Sequence, residues 1–425
     1  MALSNYPPTR PRAPTFAASM LASYSRGFWL MCLSSFLFFA SFNLLLPELP
    51  DHLARMGGGE YKGYILALFT LTAGLSRPFS GRLSDTVGRI PVMVFGSLVC
   101  VACGFVYPWA LTVSSFLGLR LLHGFSTGFK PTGTAAFLAD IVPLEKRGEA
   151  MGLFGVMSSL GMAAGPAFGS WVAQRFSLNA MFYCSSALAL LSVLVQGTLT
   201  ETLPMAQRQP FRFGLLKLKL REMLEPRVAA PALAMLLFVV PFGVLFTVAP
   251  DQSRALGLVG SNKGLFYGCY TAATLGIRLV ASKSSDRYGR VPVLCVSASI
   301  MALGLLVLVW SPSALVFLAG TVLYGLGAGL NSPTLYAWTI DLSHPEHRGR
   351  AVATMYIALE AGIGLGALLA GWVFHNTLAR LPWVHALSLG SVLLALAYLL
   401  LGVRPALARP APPAALAAAR PEDVV

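Results

Sequence analysis

The sequence predicts an all-α polytopic membrane protein with 12 transmembrane helices in two pseudo-symmetric six-helix bundles. Three observations carry this expectation. Of 425 residues, 56% are hydrophobic and 11% charged, whereas a soluble domain carries about 25% charged residues, so the polar shell of a water-soluble protein is missing. The apolar residues fall into twelve runs near the length a helix needs to cross a bilayer, about 20 residues. The second half of the chain repeats the first at a fixed offset. With 41 glycines and six cysteines, the collagen-like, disordered and disulfide-scaffold classes are excluded.

In chain order, residues 1–27 form a tail with three arginines, Arg10, Arg12 and Arg26, without the apolar region and cleavage site of a signal peptide. Spans are expected at 28–47, 63–79, 91–111, 115–138, 151–172 and 180–199, each bounded by Gly, Pro or charge. These make a first bundle, 28–199. A linker at 200–229 interleaves basic and apolar residues from Phe211 to Leu224, a composition suited to the headgroup surface of a bilayer. The second bundle, 230–403, holds spans at 230–249, 264–281, 292–310, 314–338, 351–374 and 385–403. The Ala/Pro-rich residues 404–425 read as a disordered tail. Cys32, Cys100, Cys103, Cys184, Cys269 and Cys295 lie in or at the ends of apolar runs, so no disulfide or zinc framework is expected. His344-x-x-His347 in a loop is too sparse for a metal site, and no cofactor is expected.

The charge is lopsided: 31 Lys+Arg against 17 Asp+Glu, a formal +14. Of the basic residues, 21 belong to the tails, the linker and the loops on that face, and six to the opposite face. Cytoplasmic loops collect Lys and Arg, so both termini are expected in the cytoplasm. The excess is then topology, with the lipid bilayer as partner and no nucleic acid. Four cations remain inside spans: Arg77, Arg120, Lys130 and Arg278.

The repeat has an offset of 201 and needs no gap from 62 to 172. Lys62-Gly63 matches Lys263-Gly264, Arg77 matches Arg278, and Asp85-x-x-Gly88-Arg89-x-Pro91 matches Asp286-x-x-Gly289-Arg290-x-Pro292. Asp140 matches Asp341, Glu145-x-Arg147-Gly148 matches Glu346-x-Arg348-Gly349, and Gly161 and Gly165 match Gly362 and Gly366. Two equivalent bundles face to face suit a rocking carrier whose site lies between them.

These residues resemble the major facilitator superfamily over the whole chain outside the tails. Gly81-Arg-Leu-Ser-Asp85-Thr-Val-Gly88-Arg89 is similar to the family's G-x-L-x-D-x-x-G-R loop, which implies a conformational lock of the outward-facing state. The lock would be formed by Gly81, Asp85, Gly88 and Arg89, by their repeats Asp286, Gly289 and Arg290, and by Asp140, Arg147, Asp341 and Arg348. Ser282 and Ser284 replace Gly and Leu in the second copy. Gly152, Gly161, Gly165-Pro166 and Gly169 on the fifth span are spaced like the family's antiporter motif, whose small residues let helices pack closely. Leu119-Arg120-x-x-His123-Gly124 resembles a motif whose arginine is tied to proton coupling. Asn43 stands where many twelve-span drug antiporters have an aspartate, so that proton carrier is absent, although Glu48 lies nearby. The resemblance implies a cavity lined by spans one, four, seven and ten, a monomer, and residence in a cytoplasmic membrane, the inner membrane of a bacterium.

An ionisable group inside a span costs on the order of 3 kcal/mol, so each marks a functional candidate. Lys130 lies roughly 14 Å from the cytoplasmic end of span four, and Glu360, the only acid deep in a span, roughly 17 Å up span eleven. Matching depths allow them to pair across the cavity, or to bind substrate and proton in competition. Arg120, His123, Thr127, Lys130 and Thr134 form a polar stripe at three/four spacing. The position symmetric to Lys130 is Asn331, with Tyr324 on the same face. Arg77 and Arg278 either brace the seam between the halves or meet an anionic substrate. A buried carboxyl is costly to ionise, which makes Glu360 the candidate proton carrier, with His123 a possible shuttle. The expectation is a proton-coupled exporter, not an enzyme, that moves a small anionic or zwitterionic metabolite or drug. The rival is an uptake symporter for a sugar or organic anion.

Overall fold

The computed structural model describes residues 24–143, 147–217, 223–258, 264–281, 284–343 and 348–403, with the backbone alone at 147–149 and 348. Among the described residues there are twelve long α-helices and no strands. The first six are α1 (Arg26–Asn43), α2 (Lys62–Thr86), α3 (Arg89–Val106), α4 (Val113–Ile141), α5 (Arg147–Arg175) and α6 (Leu178–Gly197). The second six are α7 (Ala229–Ala255), α8 (Leu265–Ala281), α9 (Arg290–Val309), α10 (Ala314–Leu342), α11 (Arg348–Phe374) and α12 (Leu381–Ala397). Each expected run falls on one of them.

Eight of the twelve are long and apolar enough, by length and composition, to cross a membrane. The four below that mark are α1, α2, α4 and the shorter apolar α8. Three of these, α2, α4 and α8, carry Arg77, the stripe from Arg120 to Thr134, and Arg278, so their polarity belongs to the interior of the bundle. The first helix also ends earlier than its apolar run, at Asn43. A proline ring collides with the carbonyl four residues back, and Pro47 sets that limit at Asn43. The chain turns and resumes in a short helix, Leu49–Arg55, with Pro50 in its first turn.

Glycines decide how closely the helices approach. Gly161, Gly165 and Gly169 on α5 lie against the backbone of Phe36 and Ala40 on α1 and of Leu44 just after it, and Gly362 and Gly366 on α11, counterparts of the first two, lie against Leu236 and Val240 on α7. The two halves meet along α2 with α11 and α5 with α8. At the end away from the linker, here the far end, Gly63 sits on Ala367 and Gly371, and Gly264 on Ala167. Towards the linker end these helices part: a Cβ placed at Gly81 on α2, Gly152 or Gly155 on α5, or Gly349 on α11 would meet nothing within 4 Å. The molecule is therefore closed at the far end and open at the linker end.

The first part of the linker docks on the first half. Glu201 accepts from the backbone N–H groups of Arg89 (3.0 Å) and Ile90 (2.9 Å), closing the first turn of α3, where a carboxylate is favoured by the helix dipole. Leu215 and Leu216 pack on Leu83, Val92 and Phe129. Phe211 and Phe213 remain exposed. Further on, Glu225 pairs with Arg350 of the second half. His344 and His347 lie outside the described residues, and all six cysteines are free.

Candidate functional site

Midway along the seam, Arg77 on α2 donates through Nη2 to Glu360 Oε1 on α11 at 2.7 Å, with both side chains under 9% exposed. Gly74 permits this approach, since its missing side chain leaves room for Glu360 Cβ. The guanidinium carbon of Arg77 also lies 4.4 Å from the ring centre of Tyr356, one turn along α11, a cation–π distance. The other carboxylate oxygen, Glu360 Oε2, makes no hydrogen bond among the described residues, and Arg77 Nε is buried without a partner.

Glu360 is thus not paired with Lys130, as matching depths suggested. Lys130 is fully buried inside the first half, where Nζ donates to Ser35 Oγ on α1 at 2.9 Å and lies 5.1 Å from the Phe38 ring. Depth along a helix says nothing of direction around it, and Lys130 points to α1. The rest of the stripe also turns into protein. Arg120 donates to the Ile65 carbonyl (2.9 Å) and the Tyr107 hydroxyl (3.3 Å). His123 contacts Tyr107 Oη at 3.1 Å and Cys100 Sγ at 3.2 Å, and Thr127 donates to the Gly124 carbonyl at 3.3 Å. Asn43 donates back to Phe39 of its own helix at 2.8 Å.

Arg278 occupies the position symmetric to Arg77 in a different setting. Its one bond among the described residues is long, from Nε to the Gly329 carbonyl at 3.4 Å. Tyr270 and Tyr356 lie within its electrostatic reach. Tyr270 stacks on Tyr324 with ring centres 5.7 Å apart, and Phe242 and Phe246 extend the aromatic wall. Asn331 Oδ1 is buried without a partner on the same helix as Tyr324. Tyr270 and Tyr356 escaped sequence reasoning because tyrosines inside apolar runs carry no motif.

At the linker end the loop residues pair within each half, and none of these bonds crosses the seam. Arg89 pairs with Asp85 at 3.0 Å and Asp140 at 3.1 Å, and Asp140 accepts from Thr202 at 2.6 Å. The second copy repeats this, Arg290 meeting Asp286 and, at 2.8 Å, Asp341. Gly88 and Gly289 precede α3 and α9 with φ of 143° and 89°, a region that penalises side chains. The side chains of Arg147 and Arg348 lie outside the described residues. Pro166 lies inside α5 beside Gly165.

The contrast between crowded and open glycines makes a prediction. Gly161→Val should lower the thermal unfolding midpoint, since overpacking costs about 1–3 kcal/mol. Gly155→Leu should leave that midpoint unchanged and still stop transport, because closing the linker end brings α5 against a neighbour. Thermal unfolding and uptake into vesicles check both halves, and a Gly155→Leu variant with full transport would contradict the closure.

The far end carries a second ionic cluster. Lys62 of α2 donates to both Asp251 oxygens of α7 at 2.8 Å, and Arg254 of α7 bonds Asp51 from the first half. Glu48 accepts from Ser170 at 3.0 Å. Both ion pairs cross between the halves. Their sequence signal is a second repeat at an offset of 200: Pro50-Asp51 with Pro250-Asp251, and Gly57 with Gly257, the two glycines sharing positive φ of 84° and 77°.

Two matching six-helix halves, sealed at one end and parted at the other with charges buried on their seam, define a helical membrane carrier. The profile of the Major Facilitator Superfamily matches residues 31–251 and 231–422, and the chain belongs to that family. It is 30% identical over 175 residues to "Multidrug resistance protein 2" of Bacillus subtilis (strain 168), covering 41% of this chain and 44% of that protein; the match spans under half of that relative's length. With the "Uncharacterized MFS-type transporter YhhS" of Escherichia coli (strain K12) it shares 26% identity over 372 residues, 85% of this chain and 89% of the other. The crystal structure of the human organic anion transporter MFSD10 (TETRAN) superposes with a TM-score of 0.70 at 21% identity, covering 88% of this chain and 99% of that one. The D-xylose-proton symporter gives a TM-score of 0.72 at 16% identity, covering 89% and 97%. At these identities the likeness is one of fold.

Proposed function

We propose that the protein exports a small zwitterionic or anionic metabolite or drug in exchange for protons, by alternating between the state open at the linker end and one open at the far end. The positive-inside bias makes the linker end cytoplasmic. The observation that carries the reading is the buried Arg77–Glu360 pair, in which Oε2 makes no hydrogen bond among the described residues. With Oε1 held by Arg77, Oε2 takes either a substrate's cationic group or a proton. Two ligands that compete for one atom in two alternating states are exchanged. The similarity to multidrug resistance proteins supports export.

A second reading has its own observation: no carboxylate pairs with Arg278 among the described residues. A bare anion held there would favour a protonated Glu360 beside it, and the two would travel together as in an uptake symporter for an organic anion. Everted vesicles with an acidified lumen separate the readings. Under exchange, substrate added outside alkalinises the lumen, and Glu360→Gln abolishes the signal. Acidification on the same addition would replace exchange by symport.

A further inference from the structure

We propose that the two halves of the seam divide the work: Arg278 receives the substrate's negative group, Glu360 Oε2 its positive group or the proton, and Tyr270, backed by Tyr324, with Tyr356 a flat ring between them. The substrate class is a small aromatic zwitterion. This rests on the exchange reading above, whose proton site it shares.

The argument starts from an asymmetry. Across the first seam, Arg77 is neutralised by Glu360. The residue 201 positions before Glu360, on the helix facing α8 across the second seam, is Ser159. A guanidinium presents five donors, and Arg278 uses one of them, in a bond of 3.4 Å. Leaving a half-buried cation unpaired is costly, and a site that keeps one is built for an incoming anion. The space is there: on α5, which faces α8 across this seam, a Cβ placed at Gly152 or at Gly155, one turn from Ser159, would meet nothing within 4 Å.

Tyr356 connects the two arginines, its ring over Arg77 and its side chain within electrostatic reach of Arg278. A carboxylate on Arg278 would share this electrostatic reach of Tyr356, whose hydroxyl is a donor. Tyr270, also within reach of Arg278, presents its ring in a stack with Tyr324 at an interplanar angle of 24°, so a planar group bound next to the carboxylate extends an existing stack. Asn331 Oδ1, a buried acceptor without a partner, sits two turns along α10 from Tyr324 and offers a place for a ring N–H. The site offers both signs at separate places, Arg278 for an anionic group and Glu360 Oε2 for a cationic one, and a zwitterion meets both without displacing Arg77.

Four compounds sharing one ring test this on the purified full chain: tryptophan (zwitterion), indole-3-acetate (anion), indole-3-acetamide (neutral) and tryptamine (cation). Calorimetry and thermal unfolding should rank tryptophan first, indole-3-acetate second, and the other two last. Arg278→Gln should weaken tryptophan and indole-3-acetate about tenfold or more, the loss of one charge-assisted bond, and leave tryptamine unchanged. Should that variant fail to fold, Arg278→Lys, which keeps the charge and loses the fork, should weaken both carboxylates and preserve their rank. Tryptamine binding as tightly as tryptophan, no binding by any of the four, or Arg278 variants with the order and affinities intact would overturn the proposal. Glu360→Gln distinguishes it from the exchange reading. That variant should keep indole-3-acetate affinity and lose proton release on tryptophan binding; proton release absent from the wild type as well, with the Arg278 dependence intact, removes exchange and leaves the anion receptor standing.

Discussion

Replacing Glu360 by alanine is expected to stop proton-driven transport and to destabilise the protein by about 3–5 kcal/mol, because it strands a buried arginine. The single bond from Arg77 to Glu360 joins side chains that are both nearly closed to solvent, and Arg77 Nε already lacks a partner. Arg77→Ala should cost a similar amount by stranding the carboxylate. The informative variant is the double replacement, Arg77→Met with Glu360→Met. Removing both charges of a buried pair is often neutral or stabilising, so unfolding should return close to that of the parent while transport stays absent. Denaturation in detergent and counterflow in proteoliposomes read the two effects separately. A double variant as unstable as either single one would mean that the pair holds the seam by geometry rather than by mutual neutralisation.

Asp251→Asn should shift the molecule towards the state open at the far end. Asp251 takes both hydrogen bonds from Lys62, and the neighbouring Arg254–Asp51 link crosses the same gap. Both exist only while the far end is shut, so weakening them raises the free energy of this state and not of the other. Each ~1.4 kcal/mol lost changes the population ratio about tenfold. Spin labels at Leu111 and Leu315, both strongly exposed at the far ends of α3 and α10, should report a longer distance in the variant. An unchanged distance distribution would show that apolar contacts, such as Leu46 and Leu66 against the second half, keep the end shut without the charges.

The architecture was legible because hydrophobic length and the 201-residue repeat are both linear signals. The contacts of Arg89 with Asp85 and of Arg290 with Asp286 are local for the same reason, each lying within one loop and the helix end beside it. The site was legible only in part. Sequence yields the depth of Arg77, Lys130 and Glu360 in the slab, and depth alone made Lys130 the natural partner of Glu360; the angle around α4 turned Lys130 to Ser35 instead. The far-end latch was hidden by a slip of one residue. Repeats found at 201 from residue 62 onwards become 200 before it, so Asp51, on the short helix after α1, and Asp251, near the end of α7, fall out of register.

The unequal seams also bear on ancestry. A protein made by fusing two copies of one six-helix gene would begin with either two Arg–Glu seams or none, and so with an even number of proton sites. This chain has Glu360 on one seam and Ser159 on the other. Under the proton exchange proposed above, a single carboxylate would set an odd count, one exchangeable proton per turnover, and the exchange of a neutral zwitterion would be electrogenic, driven by membrane voltage as well as by the pH gradient.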